Sequence, residues 1–154
     1  MSKLTKLVSH PDLFLRDALL NRLNKYTPKN LDSHLVLGLN ISKWKRAFFS
    51  KILKDEEIIY LENNASVEEI IQSIKQNRIK KVYLWGNALD LSLNQYLQQQ
   101  KIALIRVEDG FLRSLGLGAN FIPPYSLCFD TKGVYYDANQ ESQLEYLIKN
   151  FDKN

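Results

Sequence analysis

Ser66-Val67-Glu68-Glu69-Ile70-Ile71-Gln72-Ser73-Ile74, followed after a short polar break by Lys81-Val82-Tyr83-Leu84-Trp85-Gly86, decides the fold class. The first stretch opens on a capping box: a serine caps one backbone N–H, and a glutamate three residues on reaches back to another. Val67, Ile70, Ile71 and Ile74 then stand at i, i+3, i+4, i+7, the spacing of one buried helical face. The second stretch is a short apolar run closed by glycine, as expected of a strand covered on both sides. Helix followed by buried strand is the repeating half of a βαβ unit.

The same alternation extends both ways. Upstream, Leu35-Val36-Leu37-Gly38-Leu39 reads as a strand, Lys43 to Leu53 as a helix with Trp44, Phe48, Phe49, Ile52 and Leu53 on its apolar face, and Glu57 to Leu61 as another strand. Downstream, a polar helix from about Leu89 to Gln99 precedes the strand Ile102-Ala103-Leu104-Ile105-Arg106-Val107. Strands separated by helices imply right-handed crossovers and a parallel sheet. The expected fold is α/β: a Rossmann-like parallel sheet with flanking helices. After Gly110 the pattern changes. Ser126–Phe129 and Val134–Tyr136 flank Asp130-Thr131-Lys132-Gly133, which reads as a β-hairpin. A last helix carries Leu144, Leu147, Ile148 and Phe151. Two units are expected: a basic amphipathic N-terminal helix within residues 1–33, with Leu15, Ala18, Leu19, Leu23 and Tyr26 on its apolar stripe, and an α/β domain over 34–154.

Composition narrows the function classes. The 154 residues suffice for one domain with a proper core. One cysteine, Cys128, excludes an internal disulfide framework or a cysteine-based zinc cluster, and points to a reducing compartment. The N-terminus does not read as a secretory signal. No run approaches the roughly 20 apolar residues of a membrane span. A cytoplasmic location is expected, with peripheral association at the inner membrane left open. Residues 1–54 hold 11 Lys/Arg against 3 Asp, and residues 55–154 carry a net −4. The basic first third suggests an acidic partner, with an anionic membrane surface among the candidates; a solvated helical face explains the charge equally well. No nucleic-acid fold is recognisable, and no nucleic-acid partner is expected.

In an open parallel sheet ligands bind beyond the carboxyl ends of the strands. Neither a dinucleotide fingerprint nor a P-loop follows any strand here. His10 and His34 lie far from any carboxylate pair, so no metal site is expected. The densest polar cluster in the right place is Glu108-Asp109-Gly110-Phe111-Leu112-Arg113-Ser114. Carboxylates there suit a nucleophile or general base toward a sugar. Arginine matches a sugar carboxylate or phosphate with its planar fork. Glycine permits a sharp turn away from the sheet. If the strand stays extended through residue 109, Glu108 and Asp109 face opposite sides. A purely structural reading is also open, with Asp109 capping a short helix and Glu108 paired to Arg106 or Arg113.

The stretch from Glu108 to Gly118 resembles the signature of the capsule polysaccharide biosynthesis proteins of the KpsC/LipA family. Ser126-Leu127 with Asp130, Gly133-Val134-Tyr135-Tyr136-Asp137, Leu144-Glu145 and Trp85-Gly86 resemble further blocks of the same pattern. The resemblance covers roughly residues 80–150. It implies a retaining β-Kdo glycosyltransferase that takes Kdo from CMP-Kdo and builds an oligo-Kdo linker on a lipid-linked saccharide acceptor. It implies Asp109 and Glu108 as catalytic candidates. Arg113, Ser114, Gly110, Trp85, Gly86 and Asn87 are the implied substrate contacts, although Asn87-Ala88 stands where the family pattern implies a basic residue. No cofactor is expected. A GT-B-like transferase pairs two such domains, so the donor is expected to need a second, nucleotide-binding domain or subunit that this chain lacks, and the chain alone is expected to be inactive. The alternative is a non-catalytic capsule assembly or export module that binds lipid-linked saccharide.

Overall fold

A computed structural model of the chain describes residues 34–112 and 124–151. The expected N-terminal helix within 1–33 lies outside the described residues, as do Arg113 and Ser114.

The apolar runs become strands, and the periodic segments between them become helices. In chain order these are β1 (His34–Leu39), α1 (Lys43–Ile52), β2 (Glu56–Tyr60), α2 (Val67–Asn77), β3 (Lys81–Trp85), α3 (Leu91–Gln99), β4 (Ala103–Asp109), β5 (Leu127–Asp130) and α4 (Gln143–Asn150). The five strands form one sheet in the order β2-β1-β3-β4-β5. The first four are mutually parallel, and β5 runs antiparallel to β4. The chain reverses its direction of travel across the sheet between β1 and β3. That switch opens a crevice between their carboxyl ends.

Strand alternation sorts the side chains into two layers. Val36, Tyr83 and Val107 face α1 and pack on Phe49, Ile41 and Trp85. Leu37, Leu39, Val82 and Leu84 face the other side and pack on Ile74 of α2 and Leu93 and Leu97 of α3. Phe49 is fully buried, edge-on to Tyr83 and Trp85 at 5.5 and 6.4 Å. Such contacts add to simple area burial. The capping box at α2 forms as its sequence dictates, with Ser66 and Glu69 satisfying each other's backbone N–H. Ser142 and Glu145 repeat the device on α4.

The expected hairpin does not form. Only its first arm is a strand, and that arm pairs with β4. Residues 131–142 are turns held by Asp130, which is 4% exposed. Its Oδ1 accepts from the backbone N–H of Lys132 and Gly133, and its Oδ2 from that of Gln143. A buried carboxylate that gathers three backbone donors bends the chain back on itself and into α4. The segment around Val134 is therefore turned rather than extended and does not pair with the outer edge of β5.

Candidate functional site at the carboxyl end of the sheet

β4 stays extended through Asp109, so adjacent carboxylates leave the strand on opposite faces. Asp109 points to the α1 side, where its Oδ1 lies 3.5 Å from Lys45 Nζ. This is an ion pair at the outer limit of hydrogen-bond reach, and Oδ1 is otherwise buried without a partner. Lys45 is enclosed: its side chain is 12% exposed, and its ammonium sits 3.4 Å from the centroid of the Trp85 ring, with Trp44 at 5.3 Å. Burial pulls the Lys45 pKa below its ordinary value, and Asp109 and Glu108 oppose that shift.

Glu108 points to the other face. Its Oε1 accepts a hydrogen bond from the Tyr136 hydroxyl. Partial burial and the Glu108 acceptor push the Tyr136 phenol up to about 12. Neither Arg106 nor any other described cation forms an ion pair with Glu108. Arg106 instead donates from Nε to Asn87 Oδ1 at 2.9 Å, and Asn87 Nδ2 donates to Asp137 Oδ2 at 2.7 Å. Backbone donation from Asn139 holds the Asp137 carboxyl below the usual range, and Asn87 and Arg106 contribute to the same effect.

Two glycines are demanded by the geometry. Gly86 takes a left-handed φ of +84° at the end of β3, where a side chain would be strained. Gly110 has no room for one: a Cβ would lie 2.3 Å from Ser126 Oγ and 2.9 Å from the Ser126 carbonyl carbon. The Gly110 N–H donates to the Ser126 carbonyl at 2.8 Å, which sews the end of β4 to the start of β5. Around this mouth Phe111, Leu112, Tyr125 and Tyr136 remain largely exposed. Phe111 and Tyr136 flank Tyr135, with ring centroids 5.2 and 5.4 Å from its own.

The structure thus brings Trp85 and Asp109 together on one side, and Gly86, Asn87 and Glu108 toward the other. Gly110 ties the end of β4 to the residue before β5. Lys45 escaped the sequence reading. The basic residues of α1 suggested a solvated or membrane-facing surface, yet two of them turn inward. Arg46 is 8% exposed and donates to the Ile41 and Leu61 carbonyls. The available signal for Lys45 was its place in the first turn of the helix after β1, which overlies the carboxyl edge of the sheet. A cation there opposes the helix dipole, and Asp109 supplies the counter-charge.

Cys128 is half-buried, and burial followed by Asp130 and Glu108 pushes its thiol pKa up, as for an unreactive thiol. No group of three or more metal-ligating side chains occurs among the described residues. No described helix is long and apolar enough to cross a membrane.

The chain is 36% identical over 114 residues to the lipopolysaccharide-processing protein LpsZ of Rhizobium meliloti, a match covering 74% of this chain and 26% of that protein. It is 34% identical over 112 residues to the capsule polysaccharide modification protein LipA of Neisseria meningitidis, covering 73% of this chain and 16% of LipA. The chain therefore spans about a quarter or less of the length of these relatives. Residues 80–153, which hold β3, β4, β5, α4 and both carboxylates, match the capsule polysaccharide biosynthesis protein family.

Proposed function

We propose that this chain supplies the part that carries the catalytic carboxylate of a retaining glycosyltransferase in capsule polysaccharide biosynthesis, moving Kdo from CMP-Kdo to a lipid-linked saccharide. The observation that carries the reading is Asp109. Its carboxylate stands at the carboxyl end of a central strand, one oxygen facing Lys45 and the side chain 30% exposed. A nucleophile needs this combination of a fixed orientation and an open approach.

In the proposed reaction an Asp109 oxygen attacks the anomeric carbon of the sugar. The bond to the phosphate oxygen breaks, and CMP leaves with the electron pair. The acceptor hydroxyl then attacks the same carbon from the opposite side and gives its proton to a base, while the carboxylate departs. Two inversions yield net retention. Lys45 orients the nucleophile, and Trp85 walls the site. Glu108, held by Tyr136 on the other face, stands outside the attack. CMP is assigned to a second domain or subunit. Arg113 and Ser114 are assigned to the sugar, and the acceptor lipid puts the work at an anionic membrane surface.

The test is transfer from CMP-Kdo to a lipid-linked Kdo acceptor, with the chain alone and with the remainder of a LipA-type protein supplied in trans. Transfer that requires both parts supports the reading. Saccharide binding without transfer in either arm would favour the non-catalytic assembly module.

A further inference from the structure

On the α3 side of the sheet, away from Asp109, lies a cavity of about 320 Å³ between α3, β4 and the turn after β5. Its floor is Leu104 and Arg106 of β4, and its walls carry Asn94, Gln98, Thr131 and Gln140. Arg106 is the anomaly. It occupies a strand position whose neighbours on the same face pack into the core, as Leu104 does. A guanidinium there has been desolvated in part, and that requires compensation.

The compensation within the chain is incomplete. Among the described residues Arg106 has no ion-pair partner. Its Nε donates to Asn87 at 2.9 Å and its Nη1 to the Lys132 carbonyl at 3.5 Å. These are two of the five N–H groups a guanidinium carries. Asp137 is bonded to Asn87 and is attracted to Arg106 by charge, without an ion-pair contact between the two. The other local cation is already matched: Lys132 Nζ lies 3.5 Å from Glu141 and 3.5 Å from the Tyr146 ring centroid. Arg106 is thus held by the Asn87–Asp137 relay and lines the cavity with N–H groups that no described residue takes up.

We infer that this cavity binds a carboxylate-bearing sugar ring, with Arg106 taking the carboxylate and the neighbouring amides and hydroxyl taking ring hydroxyls. The chemistry of the walls selects the class. A bidentate guanidinium matches a carboxylate. Asn94, Gln98, Gln140 and Thr131 each offer neutral donors and acceptors, which suit hydroxyl groups. The same fork also fits a phosphate, but phosphates are commonly cradled by a glycine-rich loop or a helix N-terminus, whereas Asn94 and Gln98 sit along the body of α3. The volume lies at the small end of ligand pockets, which run about 300–1,000 Å³. That suits one sugar ring rather than a nucleotide. The site is on the opposite face of β4 from Asp109 and stands or falls apart from the transferase reading.

The experiment is titration of the isotopically labelled 154-residue chain with glucuronate, glucose and inorganic phosphate, followed by amide chemical shifts. Glucuronate should shift the Asn94, Gln98, Thr131 and Gln140 signals, and glucose should do so at least about tenfold more weakly. Arg106→Gln should weaken glucuronate by a similar factor. Gln98→Ala, an exposed change on α3, should weaken it about threefold and keep the spectrum folded. Glucose or phosphate binding as tightly as glucuronate, shifts confined elsewhere, or no shift at all would overturn the assignment.

Discussion

Lys45 and Asp109, 64 positions apart in the chain, meet at 3.5 Å across the carboxyl end of the sheet, with the Trp85 ring closing over the ammonium. The pair is not an evident source of stability. Burial of Lys45 outweighs the attraction of Asp109 and Glu108, since its pKa is lowered rather than raised. Partly buried pairs of this kind often contribute little net stability. Their use lies in fixing a charged group in place.

That balance gives the first prediction. Lys45→Met and Asp109→Asn should each cost about 1 kcal/mol, because each strands one partner. The double variant should cost less than the two together, with a coupling of about 0.5–1 kcal/mol. Urea denaturation of the four proteins measures it. Strict additivity would mean that the two groups do not interact in solution.

Tyr136 makes the second prediction. Its folded pKa is about 12, against an ordinary 10.0. A folded value above the unfolded one means that the native state holds the proton more tightly. The stability from this group is therefore fully present below pH 10.0 and is lost as pH rises through about 12. Tyr136→Phe should remove one late-titrating tyrosine from the absorbance titration and flatten that part of the stability profile. Tyr60, also raised to about 12 by burial, should remain.

The third prediction concerns Gly110. A methyl group there meets Ser126 Oγ at 2.3 Å and the Ser126 backbone at 2.9 Å. The hydroxyl can swing away, but the backbone cannot. Gly110→Ala should destabilise the chain by about 1–3 kcal/mol. Adding Ser126→Ala should recover only part of that loss in thermal denaturation. Full recovery would locate the clash in the hydroxyl alone.

Much of this fold could be read directly from the residues. Apolar runs such as Leu35–Leu39 and Lys81–Trp85 are buried on both faces, and that burial writes itself into composition. The Ser66–Glu69 capping box is a local device and was equally plain. β5 was legible as a strand but its pairing was not, because its partner is β4, and the bend after it depends on a buried Asp130 whose three backbone donors are set by tertiary packing. The divergence of Glu108 and Asp109 followed from strand alternation alone. Lys45 stayed hidden because its contacts with Trp85 and Asp109 exist only once β1, β3 and β4 lie side by side. Its neighbours on α1 made it look like one more surface charge.

The most direct measurement of the central claim is transfer of Kdo from CMP-Kdo by the complete enzyme, comparing Asp109→Asn with Glu108→Gln and recording thermal stability for both. Asparagine keeps the shape of the side chain but cannot form the sugar ester. The account predicts that Asp109→Asn loses transfer by at least about a thousandfold with its fold intact, while Glu108→Gln retains most of its rate. Normal transfer by Asp109→Asn would contradict the account.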